Sequence, residues 1–296
     1  VSLALSIIGK DITNVDGINL AEMIYNHTRL DYGSNELAFA LIALDARNTY
    51  IPDTALWTRE KMIAELLKFQ NPKTGGFGLA DNETTSVDMT AMVLQAIAKY
   101  KDSNEEVNKA IEKALDYLKN NMSSKYDFGT PEGTAQVLIA LSALGIDPLS
   151  EDEGFGTSYK NIITRLMDYY DQETGGFTRT PGDKKPTEMT AVQVLQGFNS
   201  YQRYVNGESS YWDLTDKPQG NNSTGNNNGN GSDGNSSIEN NNGNGTGSNS
   251  SIGDNNENGT GNDYNVDIES SEVKTGDESL IGVWLFIFML SSVCLY

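Results

Sequence analysis

The chain has 296 residues and a formal net charge of −20, with 41 Asp and Glu against 21 Lys and Arg. No basic stripe is available for a phosphate backbone, so nucleic acid is excluded as a partner. Its one cysteine, Cys294, allows neither a disulfide framework nor a thiolate metal site, and its one histidine, His27, argues against zinc and imidazole acid–base chemistry. No metal and no cofactor are expected. Apolar residues are plentiful up to about Leu214 and almost absent from there to about Leu280, which predicts one mid-sized domain over residues 1–216. Residues 217–296 carry two Lys and ten Asp or Glu, a net −8, leaving −12 on the domain.

In chain order, Val1 to Gly9 reads as the end of a buried helix, so further repeats and a signal peptide are expected upstream. Ile18 to Thr28 reads as an amphipathic helix. Four later segments share one grammar, in which a small hydroxyl residue or a turn precedes an acid and then a smooth apolar helix. They are Ser34-Asn35-Glu36-Leu37-Ala38 before FALIAL, Ser86-Val87-Asp88-Met89-Thr90-Ala91 before MVLQAI, Thr130-Pro131-Glu132-Gly133-Thr134-Ala135 before QVLIAL, and Thr187-Glu188-Met189-Thr190-Ala191 before VQVLQGF. Their acids stand 52, 44 and 56 residues apart. Helices apolar on most faces are buried on nearly every side. Between them, Thr58 to Gln70, Glu105 to Asn121 and Ser158 to Asp171 carry charge on one side and an apolar stripe on the other, as outer helices do.

Two of these outer helices run into Gln70-Asn71-Pro72-Lys73-Thr74-Gly75-Gly76-Phe77-Gly78 and Gln172-Glu173-Thr174-Gly175-Gly176-Phe177. The paired glycines supply a tight turn, and the phenylalanine plugs back into the core. These residues resemble the Gln-x-x-x-Gly-x-Trp repeats of the prenyltransferase and squalene/terpene-cyclase superfamily, with Phe in place of Trp. The resemblance covers most of residues 1–205 and is nearest to the bacterial surface-protein branch. It implies an all-α fold, an α/α toroid of about five inner and four outer helices, with upstream sequence needed for a full six-plus-six ring. A helical solenoid has the same local grammar, so closure does not follow from the pattern.

Class II terpene cyclases protonate substrate with an acid in an Asp-x-Asp-Asp-Thr-Ala or Asp-Cys-Thr-Ala setting. Ser86 to Ala91 resembles that motif with Asp88 kept and the flanking acids replaced by Ser86 and Met89, which leaves a terpene-cyclase-like enzyme as an alternative. Helix capping explains the acids without chemistry. If Ser34, Ser86 and Thr130 are N-caps, then Glu36, Asp88 and Glu132 fall at the second helical position, where they complement the helix dipole. Pro131 then takes its preferred first position. Thr90, Thr134 and Thr190 are expected to bond locally or pack between inner helices, with ligand contact as the alternative. Glu151-Asp152-Glu153 and Asp102 with Glu105-Glu106 lack the order of a calcium loop and read as solvated charge. Trp57, Trp212 and the tyrosines serve packing or line a concave site.

If the inner helices all point one way, Glu36, Asp88, Glu132 and Glu188 ring one mouth, with Phe77 and Phe177 on adjacent loops and Thr90, Thr134 and Thr190 as further candidate ligand contacts. Such a mouth suits a small molecule or an extracellular partner. Cobalamin carriers of the superfamily use a toroid without doing chemistry, so the resemblance extends to corrinoid capture. The reading is a displayed, non-catalytic binding toroid, with a passive scaffold as a further alternative.

Residues 217–272 are dominated by Asn, Gly and Ser and are expected to form a disordered spacer spanning about 40 Å as a coil. Residues 273–296 hold Val273-Lys274-Thr275-Gly276-Asp277-Glu278 and an uncharged run from Ser279 to Tyr296, long enough for a membrane helix. This order resembles the sortase-recognised sorting signal of Gram-positive surface proteins, with Lys274, Thr275, Gly276 and Asp277 at the cleavage motif. Glu272 and Val273 stand where that family has Leu and Pro, and no Lys or Arg follows the apolar run. Cell-surface display, through the wall or the membrane, is the expected location.

Overall fold

The computed structural model describes residues 1–219; the spacer from residue 220 and the sorting-signal segment lie outside the described residues. The described residues form a mostly helical domain with nine α-helices. Five are α1 (Ser2–Ile7), α3 (Ser34–Asp45), α5 (Val87–Ile97), α7 (Pro131–Leu144) and α9 (Glu188–Val205). Each packs sideways on the next of this set, α1 on α3, α3 on α5, α5 on α7 and α7 on α9. The other four, α2 (Leu20–Tyr25), α4 (Arg59–Leu67), α6 (Glu105–Asn121) and α8 (Ile162–Met167), lie against that row. The five-plus-four alternation read from the sequence is present.

Burial sets α3, α5 and α7 apart for a physical reason, whereas α9, with five of eighteen residues buried, and α1, with one of six, are no more covered than the outer helices. In α7 twelve of fourteen residues are buried, so the helix has no solvent face and needs no polar stripe. In α6 six of seventeen are buried, Val107, Ala110, Ile111, Ala114, Tyr117 and Leu118, which is one stripe at helical spacing. The end of each helix is set by its neighbours in sequence: Asn104 caps α6 through Glu106 and Val107 N–H groups, and Gly145, at φ 72°, ends α7.

Several expectations need correction. The first helix is only half covered: Val1, Ile7 and Ile8 are exposed, and only Ser6 of α1 is fully buried. Helix α8 is six residues long instead of spanning 158–171, because Asn161 and Thr164 form a capping box that fixes its start. Its other end gives way to an extended segment. That leads to the third correction, that the Gly-Gly-Phe corners carry β-structure. Strand β1 (Phe77–Gly78) pairs antiparallel with β2 (Thr85–Ser86), and β3 (Tyr170–Asp171) with β4 (Gly176–Phe177). Each strand is two residues long, so the pairs staple corners together and leave the helical alternation unchanged. Finally, Ser34 does not cap α3. Gly33 is the N-cap, and the Ser34 hydroxyl donates to the Gly78 carbonyl at 2.7 Å in a buried bond.

The first corner shows why its residues are needed. At Gly75, φ is +81° and a Cβ would lie 2.3 Å from the Lys113 carbonyl oxygen of α6, so both conformation and space demand glycine. Gln70 then donates from Nε2 to the carbonyls of Gly75 and Ala110, at 2.8 Å each, tying the corner to the next outer helix. Phe77 and Phe177 are both buried. Phe177 packs on Tyr170 and Phe198 with ring centroids 5.3 and 6.0 Å away. The two phenylalanines therefore hold the corners to the core and do not line a mouth.

Candidate functional site

The four acids sit in the first turns of four neighbouring helices, Glu36 in α3, Asp88 in α5, Glu132 in α7 and Glu188 in α9. Capping accounts for part of this. Ser86 and Thr130 accept from the Met89 and Gly133 N–H groups, which puts Asp88 and Glu132 at the second helical position. Thr187 accepts from Thr190 N–H, which puts Glu188 at the first. In all three places the acid faces the positive end of its helix.

The threonines are structural latches. Thr90 donates to the Ser86 carbonyl at 2.7 Å and accepts from Phe77 N–H at 2.9 Å. Thr134 does the same between the Thr130 carbonyl and Phe128 N–H, at 2.7 and 3.1 Å. Each hydroxyl fastens a helix start to the extended segment beside it. Thr190 differs. Its hydroxyl donates across to Glu132 and receives a bond from Thr187 at 2.6 Å, so two helices are linked by a side-chain chain.

Capping does not explain the relation between Asp88 and Glu132. Glu132 is buried at 8% exposure. Its Oε1 takes the Thr190 hydroxyl and lies 3.4 Å from Arg179 Nε, whereas its Oε2 is buried with no partner. Asp88 leans onto the same spot: its Oδ1 lies 2.6 Å from where a Gly133 Cβ would be, so glycine at 133 is what lets the α5 carboxylate reach the start of α7. Asp88 is exposed as a residue, yet its carboxylate is desolvated by this seat, and the Glu132 charge adds repulsion. Both effects raise its pKa above the usual carboxylate value. Glu36 repeats the theme on α3, with a buried Oε2 that has no partner beside an equally unpartnered Asn35 Oδ1. No bond joins Glu188 to these acids.

Among the described residues, no group of three or more His, Cys, Asp and Glu comes together as a metal site. None of their helices is long and apolar enough to cross a membrane. Arg179 was invisible to sequence reading, since it sits eleven residues before Thr190 in an irregular loop and no periodicity marks it. No family model matches the chain, and no curated protein sequence matches it either.

Proposed function

We propose that this domain is a displayed, non-catalytic binding module, an α/α toroid or its open relative, whose carboxylate-lined mouth receives a small molecule or partner bearing a cationic or multiply hydrogen-bonding group. The lateral order of α1, α3, α5, α7 and α9, with the outer helices set against them, supports the toroid. The observation that carries the binding reading is the free Glu132 Oε2, buried beside a second carboxylate. A buried acceptor without a partner costs about 1–3 kcal/mol. A ligand donor group placed there relieves that cost and the repulsion together. Arg179, which is more than half exposed, is a displaceable neighbour.

Asp88 as a cyclase acid is the less favoured reading: its raised pKa would suit a general acid, but Ser86 and Met89 stand where the motif's flanking acids would polarise it. Surface display rests on the composition of residues 217–272 and the sorting-signal-like segment with Lys274, Thr275, Gly276 and Asp277. A thermal-shift screen of corrinoids, amines and arginine-rich peptides tests the binding reading. A cationic ligand should raise the melting temperature of the wild type and lose that effect in Asp88→Asn and Glu132→Gln. If no compound in the set stabilises the protein, the domain is a scaffold. Protease shaving of intact cells, releasing the domain, tests display.

A further inference from the structure

Beyond the mouth, we infer a second binding site at the opposite end of the same helices, a cleft built for one pyranose ring of a neutral saccharide. The cleft encloses about 210 Å³ where the C-terminal ends of α3, α5 and α7 meet the segment Ser210 to Asp213. Its walls are Ile42, Ala96, Ala98, Ala143 and the indole of Trp212. The three alanines are small, and the cleft that they border runs alongside Trp212. That is the shape of one apolar ring face laid against an aromatic.

The indole is fixed in place by a directional chain of amides. Trp212 Nε1–H can only donate, and it donates to Gln95 Oε1 at 2.8 Å. Gln95 Nε2 must then face outward from that bond, and it donates to Gln136 Oε1 at 2.9 Å; Gln136 Nε2 in turn donates to Gln193 Oε1 at 3.2 Å. Three successive inner helices thereby hold the ring, and Tyr211 packs edge-on against it at 4.6 Å. The backbone on either side is anchored as well. Arg203 binds the Ser209 carbonyl and the Asp216 carboxylate at 3.0 Å each, and Leu214 N–H donates to the Ala46 carbonyl at 2.8 Å. A preorganised aromatic loses little conformational freedom when a ligand stacks on it.

The rim selects the ligand class. Lys99, Ser210, Asp45 and Asp213 line it. Asp45 is already held by Arg59 and Tyr100, and Lys99 donates to Asn48, whereas Asp213 uses one oxygen for Thr215 and keeps acceptor capacity on the other. Both signs of charge stand at the rim, with Lys99 3.9 Å from Asp45, and this disfavours a ligand of strong single charge. Vicinal hydroxyls, which donate and accept at once, match both.

The test is an NMR titration of the full chain labelled at the indole nitrogens, with glucose, galactose, mannose, N-acetylglucosamine and, as a non-ring polyol control, sorbitol. The Trp212 Nε1–H signal, assigned by its loss in Trp212→Phe, should shift saturably with at least one pyranose, in the millimolar range, and not with sorbitol. Ala143→Leu fills the cleft without touching the Trp212 bond. That variant should keep its melting temperature and lose the shift at least tenfold in affinity. Absence of saturation with every sugar, or equal shifts in Ala143→Leu, overturns the site. Asp88→Asn should leave sugar binding unchanged, so failure here and failure at the mouth are separable.

Discussion

Two carboxylate settings in this domain differ in one respect. At the C-terminal end of α3, Asp45 is surrounded: Arg59 Nε donates at 2.6 Å, the Tyr100 hydroxyl donates to its other oxygen, and Lys99 stands 3.9 Å away. The loop before α7 repeats this design, where Asp127 takes Ser123 Oγ at 2.7 Å and Arg165 Nε at 2.6 Å, with the Tyr169 hydroxyl close by. At the N-terminal ends of α5 and α7, Asp88 feels the Glu132 charge, and Glu132 Oε2 is buried and unbonded. An acid whose every lone pair is matched holds the fold together. On the binding reading proposed above, an acid that the fold leaves short is the place where a ligand docks.

The contrast breaks most sharply by truncation at the satisfied sites. Arg59→Ala strands the Asp45 carboxylate against the Tyr100 hydroxyl and should cost about 3 kcal/mol in urea-denaturation stability. Removal of a threonine latch comes next. Thr134→Val leaves Phe128 N–H without its acceptor and should lose about 1–3 kcal/mol. Ser86→Ala removes only the cap on Met89 N–H, a loss of about 1 kcal/mol. Glu132→Gln should cost nothing measurable in the same assay, since its carbonyl oxygen can keep the Thr190 bond while its amide turns toward Asp88. A loss at Glu132 as large as at Arg59 would erase the distinction between the two settings.

Much of the fold was legible because helix burial writes itself into sequence: the unbroken apolar runs of α3, α5 and α7 and the charged stripe of α6 came through directly. The short elements were not, since a two-residue strand such as Phe77–Gly78 has no period to detect. Ser34 misled because a hydroxyl before an acid looks like a cap, and only the nearby Gly78 carbonyl shows where it bonds. The four acids at the helix starts were legible as a repeated set. Their unequal states were not, because the seat at Gly133, the Thr190 bond and Arg179 join residues up to 58 positions apart. Phe77 and Phe177 were placed correctly in the core by their corner role and wrongly as mouth residues.

The two settings also carry opposite pH signatures. Burial and the Glu132 charge raise the Asp88 pKa, so its contribution to stability is present at low pH and disappears as pH rises through the folded value. Burial works against the Asp127 charge too, but the bonds from Ser123 and Arg165 outweigh it and hold its pKa below the usual value. Its stabilisation is present above the ordinary carboxylate range and is lost as pH falls through the folded value. The direct comparison is the unfolding free energy of Asp88→Asn and Asp127→Asn at pH 7, each against wild type. Asp88→Asn should be more stable than wild type, by a margin that closes on acidification, and Asp127→Asn less stable. Destabilisation by both substitutions would mean that the mouth is held as tightly as the rest of the fold and is not reserved for a ligand.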